Sequence, residues 1–173
     1  KSPAHISLHY TALVAMFYAM LVVVLSDGGF SFLFFWELMT VASFLLILFD
    51  AQRREVRRAA LSYLIMMHIG FVLLVIGFVR LDAACGAATF GALGDYFRTQ
   101  PGLPLLLVFL AGFGMKAGLF PMHVWLPEAH PAAPSHVSAL MSGVMIKTGV
   151  YGILRVTAAL GEQPLLHTAG VIL

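Results

Sequence analysis

The stretch GFGMKAGLFPMHVWLPEAHPAAPSH, residues 112–136, places charged and helix-breaking residues inside an apolar chain. Pro121 lacks the backbone N–H that a helix requires, and its ring clashes with the preceding turn. Gly118 and Lys116 stand just before it. We therefore predict that a helix ends near residues 118–121, that a short second helix follows, and that a lysine lies beside the break.

The composition around this stretch is typical of an integral membrane protein. Hydrophobic residues make up 61% of the chain and charged residues 10%, whereas a soluble domain carries about 25% charged residues. The net charge of +2 is too small to indicate a nucleic-acid partner. Cys85 is the one cysteine, which excludes an internal disulfide. The solvent of this chain is therefore expected to be a lipid bilayer.

Five stretches are long enough to cross that bilayer. A transmembrane helix needs about 20 mostly apolar residues, and the chain provides them at 6–25, 29–49, 59–79, 103–130 and 138–160, the fourth broken near 118–121. Helices are expected because lipid offers no partner to backbone N–H and C=O groups. The fold class is therefore an all-α membrane protein. Residues 165–173 look like the start of a further helix, so we interpret 1–173 as a fragment of one longer membrane domain.

Arginines orient these spans in the membrane. Residues 50–58 hold four of the seven arginines, and the positive-inside rule places this loop in the cytoplasm. The link 80–102 then lies outside, and we predict a short interfacial helix there, capped by Thr89. Trp125 is predicted to mark the membrane interface. The chain is expected to be a multi-pass protein of the inner (cytoplasmic) membrane.

Three ionisable residues fall near the middle of predicted spans: Glu37, Lys116 and Lys147. Each costs about 2.5–3.5 kcal/mol to insert, so such residues usually serve a function. A nearby carboxylate favours the protonated lysine and burial disfavours it, whereas an arginine would not lose its proton. Glu37 and Lys116 are therefore predicted to form a switchable proton-loading pair. The alternative is a buried ion pair with a purely structural role.

Further polar residues extend this hypothesis. On a regular helix His136 and Lys147 fall within about 20° of one another, and Tyr151 continues the same face, so His136 and Tyr151 are possible relay residues. The alternative is a surface that faces other subunits. His68 is another possible relay residue, or it hydrogen-bonds a neighbour. The histidine spacings match no standard metal motif, so we expect neither metal nor cofactor.

Three segments resemble one family of membrane proteins: FFWELM (34–39), GMKAGLFPMHVWLPEAHPAAPS (114–135) and SALMSGVMIKTGVYGILR (138–155). They are similar to the antiporter-like membrane subunits of respiratory complex I, Mrp-type sodium/proton antiporters and membrane-bound hydrogenases. Residues 123–155 look closest to the large membrane subunit of formate hydrogenlyase and hydrogenase-4. The resemblance implies two five-helix inverted repeats, of which these spans match the first. It also assigns proton translocation to Glu37, Lys116 and Lys147.

The function implied is proton translocation by a subunit that is not itself catalytic, within a redox-driven complex of the formate hydrogenlyase or hydrogenase-4 type. The expected partners are the bilayer, other membrane subunits and a peripheral hydrogenase arm, and the transported ion is the proton, with sodium as the alternative. The competing interpretations are an Mrp-type antiporter subunit, a complex I subunit and a non-pumping membrane anchor of a hydrogenase.

Overall fold

The computed structural model describes residues 3–161, 167 and 169–171, and helices dominate this part of the chain. Five helical stretches are long and apolar enough to cross a membrane: Pro3–Leu25, Gly29–Asp50, Arg54–Cys85, Gly102–Ala132 and Ser135–Ala158. The prediction of an all-α membrane fold with five spans is therefore confirmed. The further helix expected over 165–173 lies largely outside the described residues.

The helices are labelled in chain order as α1 (Pro3–Leu25), α2 (Gly29–Ile47), α3 (Arg54–Cys85), α4 (Leu93–Thr99), α5 (Gly102–Ala117), α6 (Leu126–Ala132), α7 (Ser135–Leu140) and α8 (Ile146–Ala158). The fourth span consists of α5 and α6, joined through a 3₁₀ turn at Met122–Trp125. The fifth consists of α7 and α8, joined by a π-helical turn at Met141–Met145. Both late spans are thus irregular near their middle.

Helix α3 is longer than the sequence suggested. It has 32 residues, or about 48 Å at 1.5 Å per residue, which exceeds the hydrocarbon thickness of about 30 Å. Its first turns contain three of the arginines that were expected in the loop 50–58, so the loop is shorter than predicted. The helix also continues to Cys85, so the long link predicted from Arg80 begins only after that residue. Beyond the lipid, the helix continues to pair its backbone N–H and C=O groups with one another. Glu55 in its first turn is favourable there, because a negative charge stabilises the N-terminal end of the helix dipole.

The short helix predicted after Thr89 is present. The Thr89 side chain accepts a hydrogen bond from the Ala92 N–H at 3.2 Å, and a 3₁₀ turn at Phe90–Ala92 leads into α4. The segment before it pairs with the turn between α1 and α2, because the Gly29 N–H donates to the Ala88 carbonyl at 2.6 Å. The Thr89 segment is thereby attached to the start of α2.

Arg155 of α8 fastens the same turn from the other side. Its guanidinium donates to the Ser26 carbonyl and to Oδ1 of Asp27 at 2.7 Å. It also lies 3.9 Å from the centre of the Phe90 ring, a distance suited to a cation–π contact. The ends of α1, α2 and α8 and the segment before α4 are therefore joined through one side chain.

Small residues bring α5 close to its neighbours on two sides. A Cβ on Gly149 of α8 would lie 2.6 Å from the Ala117 nitrogen, and one on Gly70 of α3 would lie 3.0 Å from the Gly112 carbonyl oxygen. Such small-residue contacts are a common way of packing membrane helices, because they let backbones approach. Helix α5 is held between α3 and α8 by these contacts.

Candidate functional site

The fourth span breaks at the predicted residues. Gly118 ends α5 with φ of 68°, in the left-handed region that favours glycine. The N–H groups of Gly118 and Leu119 both donate to the Gly114 carbonyl, so the Met115 carbonyl loses its regular helical donor. The indole N–H of Trp125 replaces that donor and lies 2.9 Å from the Met115 oxygen.

The position of Trp125 differs from the prediction that this residue marks the membrane interface. Its side chain is fully buried, with 0% exposure, and its ring lies 5.2 Å from the ring of Tyr63 on α3. The physical reason is the carbonyl left over at the break, since an unpaired buried carbonyl is costly and the indole supplies its partner. Trp125 therefore belongs to the inner structure of the break.

Lys116 is the buried cation of this site, with 1% exposure. Its Nζ donates to Oγ1 of Thr40 at 2.9 Å and to the hydroxyl of Tyr63 at 3.3 Å. The same nitrogen lies 5.6 Å from the centre of the Trp36 ring. Hydroxyl oxygens and aromatic rings stabilise a buried ammonium group without neutralising it.

The hydroxyl groups around Lys116 continue into a short polar chain. The Tyr63 hydroxyl lies 2.6 Å from Oγ of Ser43 on α2 and 3.6 Å from the sulfur of Met145 in the π turn. Hydroxyl groups both donate and accept, so such a chain can pass a proton by reorientation. Sequence reasoning missed Thr40, Ser43 and Tyr63, although a search for every polar side chain inside the spans would have found them.

Among the described residues, Glu37 does not form an ion pair with Lys116. Its carboxylate lies against His68 of α3 instead. Oε1 of Glu37 lies 3.0 Å from Nε2 of His68, whose side chain is 49% exposed against 23% for Glu37. The approach of His68 is not aligned as a hydrogen bond, and neither carboxylate oxygen accepts one from another described residue. Glu37 lies one turn before Thr40 on α2, the residue whose hydroxyl contacts the amine of Lys116. The structure thus brings Glu37 and His68 together at the edge of the bundle, with Lys116 inside it.

Lys147 lies apart from these groups. Its side chain is exposed on the surface of α8, whereas its neighbour Thr148 is buried and donates to the Met145 carbonyl at 2.7 Å. No hydrogen bond or ion pair joins Lys147 to another residue in the described part of the protein. The structure therefore does not connect Lys147 to Lys116 within this chain.

The π turn explains why the predicted stripe on the fifth span is not regular. It takes in one extra residue, which rotates Lys147 by about 100° relative to His136. Nε2 of His136 lies 2.8 Å from Nε2 of His9 on α1, and the Tyr151 hydroxyl donates to the Val24 carbonyl at 2.7 Å. His136 and Tyr151 therefore both contact α1, whereas no described hydrogen bond joins Lys147 to that helix.

Comparison with known proteins agrees with this architecture. The family model described as "NADH:quinone oxidoreductase/Mrp antiporter, TM" matches residues 26–171. Hydrogenase-4 component B of Escherichia coli is 41% identical over 150 residues, which are 84% of this chain and 22% of that protein. The chain therefore spans about a fifth of the length of the curated relatives that it matches.

Solved structures share the fold, among them those of two membrane complexes. The Mrp complex from Dietzia sp. superposes with a TM-score of 0.83 at 25% identity, covering 92% of this chain and 18% of the other. The membrane-bound sulfane sulfur reductase, an archaeal respiratory membrane complex, gives 0.78 at 30% identity and covers 87% and 25%. With five apolar spans, a broken fourth helix and a buried lysine beside the break, the chain belongs to the antiporter-like membrane subunit family of NADH:quinone oxidoreductases and Mrp antiporters.

Proposed function

We propose that this chain forms one five-helix half of a proton-translocating membrane subunit in a redox-driven complex of the formate hydrogenlyase or hydrogenase-4 type. The identity of 41% to Escherichia coli hydrogenase-4 component B supports this branch of the family. The observation that carries the proposal is the burial of Lys116, whose amine contacts hydroxyl groups rather than a carboxylate. Other membrane subunits and a peripheral hydrogenase arm are the proposed partners.

The surroundings of Lys116 suit a group that gains and loses a proton. The amine is buried and bound by hydroxyl groups, and Glu37 lies one turn before Thr40 on the same helix, so a small displacement of α2 would change how near its carboxylate lies to the amine. A full ion pair would hold the proton more firmly than the hydroxyl contacts that the structure has. The helix break beside Lys116 supplies irregular backbone of the kind found where membrane proteins bind and move ions.

Lys147 is the proposed next proton acceptor. An exposed amine in the middle of a span is unfavourable in lipid, so we propose that protein beyond this chain covers it. The proton would leave Lys116 toward that covered face of α8. The link between α2 and α3 and the arginine-rich start of α3 would face the cytoplasm, following the positive-inside rule, and the membrane would be the cytoplasmic membrane of the cell.

A sodium/proton antiporter is the second candidate, because the superposition with the Mrp complex has a TM-score of 0.83. A complex I subunit and a non-pumping hydrogenase anchor are the remaining alternatives. Sodium-dependent acidification or alkalinisation of vesicles would favour the antiporter. A vesicle assay in which redox turnover proceeds without any movement of protons would favour the anchor.

The test uses the full-length protein in its complex, reconstituted in vesicles that contain a pH-sensitive dye. Lys116→Ala and Lys116→Arg should both abolish proton uptake, since neither side chain exchanges a proton in this site. Glu37→Gln should slow uptake while the complex remains assembled. Arg54→Gln, at the exposed end of α3, is the matched control and should retain the parent rate. Uptake by Lys116→Ala at the parent rate would refute the proposal.

A further inference from the structure

The pair formed by His9 and His136 is a feature that sequence reasoning did not anticipate. His9 is in α1 and His136 is in the first turn of α7, and their Nε2 atoms lie 2.8 Å apart. Their rings meet nearly edge to face, with centres 5.1 Å apart. Two nitrogens at this distance need a proton between them, because two lone pairs would repel one another.

The two imidazoles differ in how far they are buried. His9 is 9% exposed, whereas His136 is exposed. Both line an open cavity of about 390 Å³, together with Ile6, Tyr10, Leu13 and Phe49. Phe49 follows the end of α2 and lies four residues before Arg53, in the link that leads to the arginine-rich start of α3. The cavity therefore lies toward the arginine-rich end of the bundle, with the imidazole of His136 on its outer side and that of His9 toward the protein.

We propose that His9 and His136 form a proton-accepting dyad at the cytoplasmic mouth of the proton path. This inference rests on the proposed function. The imidazole of His136 takes a proton from hydronium at Nδ1, which leaves a water molecule, and the proton held between the two rings moves from Nε2 of His136 onto Nε2 of His9. His9 is then the imidazolium. No oxidation or reduction is involved. His9 then releases its other proton, from Nδ1. Both rings now carry their protons on the opposite nitrogens and must turn over before His136 accepts the next proton.

Other titratable groups border the dyad and contribute to its pH response. His5 lies one turn before His9 on α1, and its Nε2 is 3.0 Å from the Phe49 carbonyl. Tyr10 is adjacent to His9, with ring centres 5.9 Å apart. Asp50 follows Phe49 and is exposed. A cation at His5 would oppose protonation of the dyad, and an anion at Asp50 would favour it.

Helix α7 and the π turn lead from the dyad toward Lys116. The nine residues from His136 to Met145 correspond to about 13 Å at 1.5 Å per residue. The sulfur of Met145 accepts from the Tyr63 hydroxyl at 3.6 Å, and the same hydroxyl accepts from Lys116. The dyad and the buried lysine are thus connected by one continuous stretch of backbone, whose π turn is of a kind often found at functional sites.

The experiment measures proton uptake by the full-length complex in vesicles, with the arginine-rich face toward the dye-free solution. His136→Gln and His9→Gln should each lower the initial rate at least about tenfold, since a positioned acid–base group contributes about 10²- to 10⁴-fold to proton transfer. The double variant should be no slower than either single variant, because both remove the same step. His130→Gln, six positions before His136 on α6, should keep the parent rate.

A second measurement on the unaltered protein does not depend on any variant folding. Two imidazoles can bind Zn²⁺ through nitrogens about 3.4 Å apart, given Zn–N bonds of about 2.0–2.1 Å. Micromolar Zn²⁺ on the arginine-rich side should therefore slow uptake by the parent, and His136→Gln should relieve the effect. Parent rates in both histidine variants, or inhibition that persists in His136→Gln, would overturn the dyad. If Lys116→Ala still abolishes uptake in that case, the proposed function stands and this inference alone fails.

Discussion

Replacing Gly149 by alanine tests whether the close approach of α5 and α8 positions the buried lysine. A Cβ at this position would lie 2.6 Å from the Ala117 nitrogen and 2.9 Å from the Phe113 carbonyl oxygen. Both are backbone atoms, which cannot rotate away. To reach an ordinary contact of 3.4 Å, α8 must move from α5 by about 0.8 Å, a displacement that loses dispersion energy along the whole interface.

The expected cost follows from this geometry. Overpacking of a well-packed interior costs about 1–3 kcal/mol, and the better helix propensity of alanine returns about 0.5–1 kcal/mol. We expect Gly149→Ala to lower the free energy of unfolding by about 1–2 kcal/mol, measured by reversible denaturation in mixed micelles. Proton uptake should fall as well, because Ala117, which the new methyl group pushes against, is the neighbour of Lys116.

Gly143→Ala is the matched control on the same span. A Cβ there meets no atom within 4 Å, so this variant should be at least as stable as the parent and should retain its uptake rate. If Gly149→Ala and Gly143→Ala unfold at the same denaturant concentration, the contact between α5 and α8 is not tight, and the reasoning from it is wrong.

Two further substitutions test the helix break. Trp125→Phe keeps most of the ring but leaves the Met115 carbonyl without its donor, which should lower the free energy of unfolding by about 1–3 kcal/mol; a change below the error of the denaturation curve would show that water replaces the indole. Gly118→Ala puts a side chain at φ of 68° and against Cδ1 of Leu126, so it should lower the free energy of unfolding by at least about 1–2 kcal/mol. A thermal midpoint equal to that of the parent would contradict the left-handed helix end.

The spans and the break could be predicted because both depend on strong local signals. A run of about 20 apolar residues is long enough to cross the bilayer as a helix. A proline such as Pro121, which follows Gly118, rarely lies within a regular helix. The ends of the helices were harder to place. Helix α3 includes Arg54 and Arg58, because polar residues outside the lipid can form a helix as readily as a loop. The hydropathy of the sequence marks the edge of the lipid and not the end of the helix.

The contacts of the site depended on tertiary packing that spacing alone does not reveal. The sequence singled out Lys116 and Glu37, but the residues that hold the amine are Thr40 and Tyr63. Which side of α2 faces α5 is decided by the packing of several helices at once. The π turn was also missed, and with it the rotation that separates Lys147 from the face of His136, because no residue type is specific for an inserted residue in a helix.

The attachment of Arg155 to the turn between α1 and α2 has a mechanical consequence. These contacts of Arg155 fix one end of the fifth span. If the span tilts about that end, the displacement of a residue increases with its distance from Arg155. Lys147 lies eight residues from Arg155, about 12 Å, and His136 lies nineteen residues away, about 28 Å. A tilt that displaces Lys147 by a given distance therefore displaces His136 more than twice as far. The end of the span that carries His136 is the end most displaced by such a tilt.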